Sequence, residues 1–356
     1  MNRDIFENKH YQDKVKKQLK IFFAIAFGLN YLMGLGIYYG KSNGVDVNMF
    51  PVFQMMTPAL GVMVAFMWTD WDKVPKFSFV IYTIVSFVMG VLSIASLFVK
   101  NFPVNNVMNI TLIVSTILFL IGIKVDKKQK RYLFSLNRGS VKKVTLIVIL
   151  FLCLYFLRIA VAVIPTEGID VFISYFTLQK LIFAFILVPN FFLVFIPFLG
   201  EEYGWRYFLQ PIMQKRYGMV KGILLLGLIW GVWHLPLNLF YYSAENTGFL
   251  SLVNQIGVCL AYSIMFGFAY AYSKSIWAPV MMHYFNNNLI LFFATNFDSS
   301  VIENQVYSWQ MVAINIVSVL LIYGGFIFSK YIRREEFRIE TPHERLEEDI
   351  LSEVEV

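Results

Sequence analysis

Apolar runs of roughly twenty residues recur along the whole chain, and no other feature limits the fold so tightly. A helix of that length matches the hydrocarbon core of a bilayer. Backbone groups in lipid must be satisfied internally, so the choice lies between helices and a closed barrel. The length of the runs and the lack of strict alternation favour helices. Ten candidate spans result: 21–39, 50–68, 77–99, 107–123, 144–164, 181–199, 220–240, 250–273, 276–296 and 309–329. The expected fold class is all-α, a polytopic transmembrane bundle. Charged residues make up 15% of the chain, against about a quarter in a soluble domain. The first run is long enough to span and no small-residue cleavage site follows it, so it reads as a helix and not as a removed signal. Cys153 and Cys259 both fall in apolar runs and are expected as buried thiols.

Charge orients the bundle. Of the 30 Lys and Arg, all but Lys41, Lys100, Lys180 and Arg158 fall on one side if the N-terminus is cytoplasmic. Both termini are therefore expected in the cytoplasm, with the protein multi-pass in the plasma membrane if the source is bacterial. The loop 124–143 carries eight basic residues and one Asp. It reads as an orientation signal in contact with the anionic lipid bilayer, and no nucleic-acid partner is expected. Residues 341–356 hold six acids and one Arg, and read as a solvated tail.

An ionisable residue within a span is costly and by default functional. The six within or at the edge of spans are Arg158, Glu201, Glu202, Arg206, His234 and His283. In the first four spans, polar residues such as Asn30 and Gln54 read as interhelical hydrogen bonds.

If Gly200-Glu-Glu-Tyr-Gly-Trp-Arg206 continues the sixth helix, Glu202 and Arg206 stand four apart and pair on one face. Glu201 is turned about 100° away and has no internal cation. Apolar surroundings disfavour its charged form, so it would hold a proton readily, as a base working near neutral pH must. Pro236 removes a backbone donor and should bend the helix beside His234. His283 and Asn287 share a helix face and suit the stabilisation of an oxyanion. Each of these clusters alone would fit a salt bridge, a core histidine or interhelical hydrogen bonding. Their occurrence together points to a site. The chain has no HExxH, no Asp in a span and no serine triad, which leaves a Glu base, two His and an Asn.

Convergence sets a condition on depth. His234 lies sixteen residues past Gly218, roughly 24 Å along a helix, and His283 roughly 14 Å past Lys274. Glu201 meets them if its helix continues past Arg206 toward Lys215, with Pro189 and Pro197 absorbing bends.

Glu201-Glu202-x-x-x-Arg206, an aromatic four residues before His234, and His283-x-x-x-Asn287 resemble the CAAX-protease and bacteriocin-processing (CPBP, or Abi) family of intramembrane endopeptidases, which includes type II CAAX prenyl proteases. The resemblance covers 181–296. Trp230 stands where a Phe is common, and Tyr207 where a small residue is common. The resemblance implies hydrolysis of a peptide bond in a membrane-associated protein or peptide. Glu201 with His234 would activate water, His283 and Asn287 would hold the oxyanion, and Glu202 and Arg206 would support them, with Glu202 able to share in catalysis. Two His and a Glu could also hold a divalent metal such as zinc, through Glu201, His234 and His283. The implied organisation is an accessory four-helix region at 1–143, a catalytic membrane domain at 144–329 and a charged cytoplasmic tail at 330–356. The competing readings are a non-catalytic scaffold, an immunity or regulatory protein of the same fold, and a proton-coupled transporter. A transporter would carry repeat-related broken helices, and the sequence has no convincing internal repeat.

Overall fold

The computed structural model describes residues 9–294 and 299–347, which are helical with no strand among them. The main helices are α1 (Gln12–Ser42), α2 (Met49–Thr69), α3 (Lys76–Phe98), α4 (Val104–Val125), α5 (Val141–Glu167), α6 (Leu178–Val194), α7 (Ile196–Tyr217), α8 (Met219–Trp233), α9 (Leu235–Tyr242), α10 (Gly248–Ser273), α11 (Trp277–Asn288) and α12 (Trp309–Phe328). Among the described residues, seven helices are each long and apolar enough to cross a bilayer. Counting the bent pairs α6–α7 and α8–α9 as single spans raises the number to nine. The protein is a helical polytopic bundle.

The count of ten differs at 276–296. Helix α11 has 12 residues, about 18 Å at the usual rise, against a hydrocarbon core of about 30 Å. It gives way to Ile290–Phe293 after three consecutive Asn. Asn residues favour local backbone bonds over helix continuation, and Asn288 donates to the Tyr284 carbonyl at 2.8 Å.

Helix α2 is the centre of the bundle. Its apolar window is 78% buried, against 22% for α5 and α12, whose outer faces are left for lipid. This corrects one expectation: Cys153 is exposed on α5, whereas Cys259 is buried, and both thiols are free. It also joins the two proposed halves, because α2 from the N-terminal half packs directly on α7 in the C-terminal half. The two backbones touch where Gly200 and Gly204 face α2. A Cβ on Gly200 would lie 2.3 Å from the Met55 carbonyl oxygen, and one on Gly204 2.3 Å from Pro58 Cβ. Small residues one turn apart allow this approach, as in other membrane helix pairs. Glu201 and Glu202 therefore sit on a helix fixed against the core.

Four irregularities lie around the same region. Helix α1 widens into a π turn at Ala24–Leu29, and α7 does so at Tyr203–Leu209. Helices α6 and α7 meet at 76° just before Pro197, and α8 and α9 at 43° at His234. Pro197 and Pro236 each occupy the first turn of the following helix, where a missing N–H costs least.

The expected solvated tail is docked over Thr341–Glu347, while 348–356 lie outside the described residues. Thr341, His343, Glu344 and Leu346 are buried. His343 bonds to the Gln18 side chain and packs on Phe66. Glu344 takes two bonds from Arg338, at 2.9 and 2.8 Å, and pairs with Lys215 at 3.1 Å. Composition shows the acids but not these cations. Gln18 near one end of the chain and His343 near the other meet at one end of the bundle.

Acid should loosen this docking. Burial lowers His343 from an ordinary 6.5 to about 4, against the pull of Asp70 and with Lys14 and Lys215 adding to the shift. Burial also pushes Glu344 up, but hydrogen bonds from Arg338 and the Thr341 N–H outweigh it and hold the carboxyl at about 2. Both groups bind protons more readily when undocked. Docking is fully favoured above pH ~6.5 and weakens as pH falls toward 4, by up to about 1.4 kcal/mol per unit for His343. Amide exchange over 341–347 should quicken between pH 7.5 and 5.5 beyond the intrinsic chemical rate, and unchanged protection would refute this.

Candidate active site

The acid pair closes the α-helical first part of α7, just before its wide turn. Glu201 is 2% exposed, Glu202 and Arg206 0%. Arg206 Nε donates to Glu202 Oε2 at 2.8 Å, so the pair forms despite the wider turn. Glu202 Oε1 accepts from His283 Nδ1 at 2.8 Å. The guanidinium also lies 4.8 Å from the Trp230 ring and 5.6 Å from the Phe266 ring, and Nη1 donates to Ser263 Oγ at 3.4 Å. Glu202 is thus fixed on one side by a cation and on the other by an imidazole.

Glu201 has no Lys or Arg partner among the described residues. Its Oε2 accepts from Trp230 Nε1 at 2.7 Å, and its Oε1 stands 3.9 Å from His283 Nε2. The indole N–H fixes the carboxylate's direction without neutralising it.

His234 ends α8. Its Nδ1 is 2.9 Å from the Trp230 carbonyl, which accepts only, so Nδ1 carries the hydrogen and a neutral ring leaves a lone pair on Nε2. Pro236 has no N–H to offer the Val232 carbonyl one turn back, and that carbonyl accepts from Tyr31 at 3.2 Å. The Trp233 carbonyl accepts from Asn30 at 2.6 Å and from Gln54 at 3.4 Å. The Trp233 indole donates to the Ala26 carbonyl, exposed by the wide turn in α1, at 2.8 Å. Asn30 and Gln54 do bond between helices, and their target is the broken backbone beside His234.

On α11, His283 lies among Phe198, Trp230 and Phe266, with ring centroids 5.6, 5.7 and 5.9 Å away. Asn287 accepts from Asn286 at 3.0 Å, and Asn286 accepts from the Tyr262 hydroxyl. A cavity of about 550 Å³ is lined by Glu201, His234, His283 and Asn287, with Trp230 and Cys259 beside them. Glu202 and Arg206 are absent from its lining. Direct contact therefore unites Arg206, Glu202 and His283 with Glu201 alongside. His234 and Asn287 join them across the cavity, with no hydrogen bond to Glu201 or His283 among the described residues. Sequence reasoning missed the Trp230 indole as a donor to Glu201; its signal was the aromatic four residues before His234.

A metal on Glu201, His234 and His283 would need three donors converging on one point. Among the described residues no three His, Cys, Asp or Glu side chains are arranged to hold an ion. His283 Nδ1 and His234 Nδ1 are both engaged, so each imidazole has only its Nε2 to offer.

These features define a polytopic membrane protein with a buried acid–imidazole site opening on a cavity. Residues 183–289 match the family described as type II CAAX prenyl endopeptidase Rce1-like. Over 130 residues the chain is 28% identical to a protein named CAAX prenyl protease 2 from Methanococcus maripaludis, across 33% of this chain and 46% of that protein. The chain thus spans just under half the length of this curated relative. No solved structure matches. Both matches are to CAAX protease-like proteins, and the matched segment 183–289 contains every site residue named above from Glu201 to Asn287.

Proposed function

We propose that this protein is an intramembrane endopeptidase that hydrolyses a peptide bond in a membrane-associated peptide or protein. The carrying observation is the chain Arg206–Glu202–His283, set beside a carboxylate, Glu201, that has a hydrogen-bond donor but no Lys or Arg partner among the described residues.

Glu201 takes a proton from a water molecule held between it and the His234 Nε2 lone pair. The water oxygen bonds to the scissile carbonyl carbon, and the carbonyl electrons move to oxygen. His283, held by Glu202 and protonated on Nε2, donates to that oxyanion together with the Asn287 amide. Glu202 offsets the imidazolium charge and Arg206 offsets Glu202. The intermediate then expels the amine as Glu201 returns the proton. Peptide and water become an acid and an amine, with every proton accounted for. The cavity walls of Trp230 and Trp233 keep bulk water from the carboxylate.

Purified full-length protein in lipid nanodiscs should cut membrane-anchored peptides. In water enriched in heavy oxygen, one labelled oxygen should enter the new carboxyl group. Absence of any new terminus across a broad peptide panel, with solute uptake by the same protein in vesicles, would replace this reading by transport.

Trp230→Phe tests the positioning of Glu201. It keeps an aromatic wall but removes a hydrogen bond to a charged acceptor, worth about 1.5–3 kcal/mol. We expect kcat to fall by about tenfold or more with KM nearly unchanged. Full retention of kcat would mean that the indole does not orient the base.

A further inference from the structure

Of the six ionisable residues within or at the edge of spans, Arg158 has no part in the chemistry above. It lies on α5, outside the matched segment 183–289. Yet it lines the same cavity as Glu201, His234 and His283. Its Nη1 donates to Asn315 Oδ1 at 3.1 Å, and Asn315 donates in turn to Asn254 at 2.8 Å. The guanidinium lies 5.5 Å from the Tyr155 ring. Its buried Nε finds no hydrogen-bond partner, and no Asp or Glu pairs with it among the described residues.

A lone cation at this depth is costly, and neutral amides do not cancel its charge. Asn315 on α12 and Asn254 on α10 hold it at the cavity wall, instead of letting it extend along α5 toward a membrane surface. The missing counter-charge therefore belongs to whatever enters the cavity. A guanidinium presents a planar fork that fits a carboxylate with two parallel hydrogen bonds. Resting on the endopeptidase reading, we propose that Arg158 anchors a carboxylate of the substrate peptide, its C-terminal group or an acidic side chain, and so fixes how far from that charge the chain is cut. Arg158 is then a specificity-determining residue and takes no part in bond cleavage.

The test pairs proteins with peptides. Wild type, Arg158→Gln and Arg158→Lys are compared on one cleaved peptide in three forms: unmodified, with its C-terminus amidated, and with its acidic side chain changed to the amide. Wild type should prefer the unmodified peptide. One of the two altered forms should lose that preference, and which one loses it identifies the source of the carboxylate. Arg158→Gln should raise KM for the unmodified peptide roughly ten- to hundredfold, the worth of a charge-assisted bond, with kcat little changed and the altered peptide unaffected. Arg158→Lys keeps the charge but not the fork, and should fall between. Equal losses on all three peptides, or no preference in wild type, would overturn the proposal. So would an Arg158→Gln effect that follows anionic lipid content and not the peptide, which would assign the arginine to a lipid phosphate. Binding of fluorescent forms of the same peptides to the Glu201→Gln protein repeats the comparison without turnover. A failure of cleavage and a failure of carboxylate recognition then read out separately.

Discussion

Glu201→Gln should all but abolish peptide cleavage while leaving the protein folded. The amide has nearly the shape of the carboxylate, and its oxygen can still accept the Trp230 indole hydrogen that Glu201 accepts at 2.7 Å. It cannot take a proton from water. Loss of a positioned general base lowers kcat about a hundred- to ten-thousandfold. KM should change little, because the variant removes an interaction made in the transition state. Stability should hold or rise, since a neutral amide is cheaper to bury than an uncompensated carboxylate. The control is Glu202→Gln, which strips the partner from both Arg206 and His283 and should lower stability as well as rate. Steady-state cleavage and thermal unfolding on both variants separate the two acids. A Glu201→Gln protein that cuts at the wild-type rate would end the mechanism, whatever its stability.

Much of this site was legible because helix geometry alone brings its parts together. The spacing of Glu202 and Arg206 predicts their pairing, and the pair forms. Pro236 predicts a break at His234, and α8 and α9 bend there. The continuation of the sixth segment past Arg206 is likewise observed, as α7. The parts that were not legible depend on long-range partners. No local pattern says that Trp230 reaches Glu201, or that Asn30 and Gln54, about two hundred residues away in the chain, cap the carbonyl of Trp233. The first four helices read as an accessory region because they lie outside the resemblance, and hydropathy reports how apolar a helix is and not what covers it. The close packing of α7 on α2 rests on Gly200 and Gly204, which admit its backbone. Composition likewise read the tail as solvated, because its acids find their cations in folds of the chain that a charge count does not see. Hydropathy also overran α11, where the run of Asn ends a helix that the apolar average would continue.

Arg206→Met should be the most damaging single change to stability at the site, and it should remove activity as well. Glu202 is fully buried, and Arg206 is its compensating cation. Removing one member of a buried pair leaves the other charge without compensation, at a cost of about 3–5 kcal/mol. Arg206→Lys should recover little. An ammonium lacks the planar fork that donates through Nε to Glu202 and through Nη1 to Ser263 while lying against Trp230. The double variant Glu202→Gln/Arg206→Met separates structure from chemistry. With both charges gone, neither member of the pair is left without its partner, and neutral replacements of buried pairs are often tolerated. Its unfolding midpoint in nanodiscs should therefore lie above that of Arg206→Met. Its cleavage rate should stay low, because His283 Nδ1 would face an amide in place of the carboxylate that steadies an imidazolium. The coupling between the two changes, read from the four proteins as a cycle, should be strongly favourable for stability and near zero for recovered rate. A double variant less stable than the Arg206 single would show that packing, not charge, holds the pair. A double variant that regained the wild-type rate would show that Glu202 has no part in setting the proton on His283.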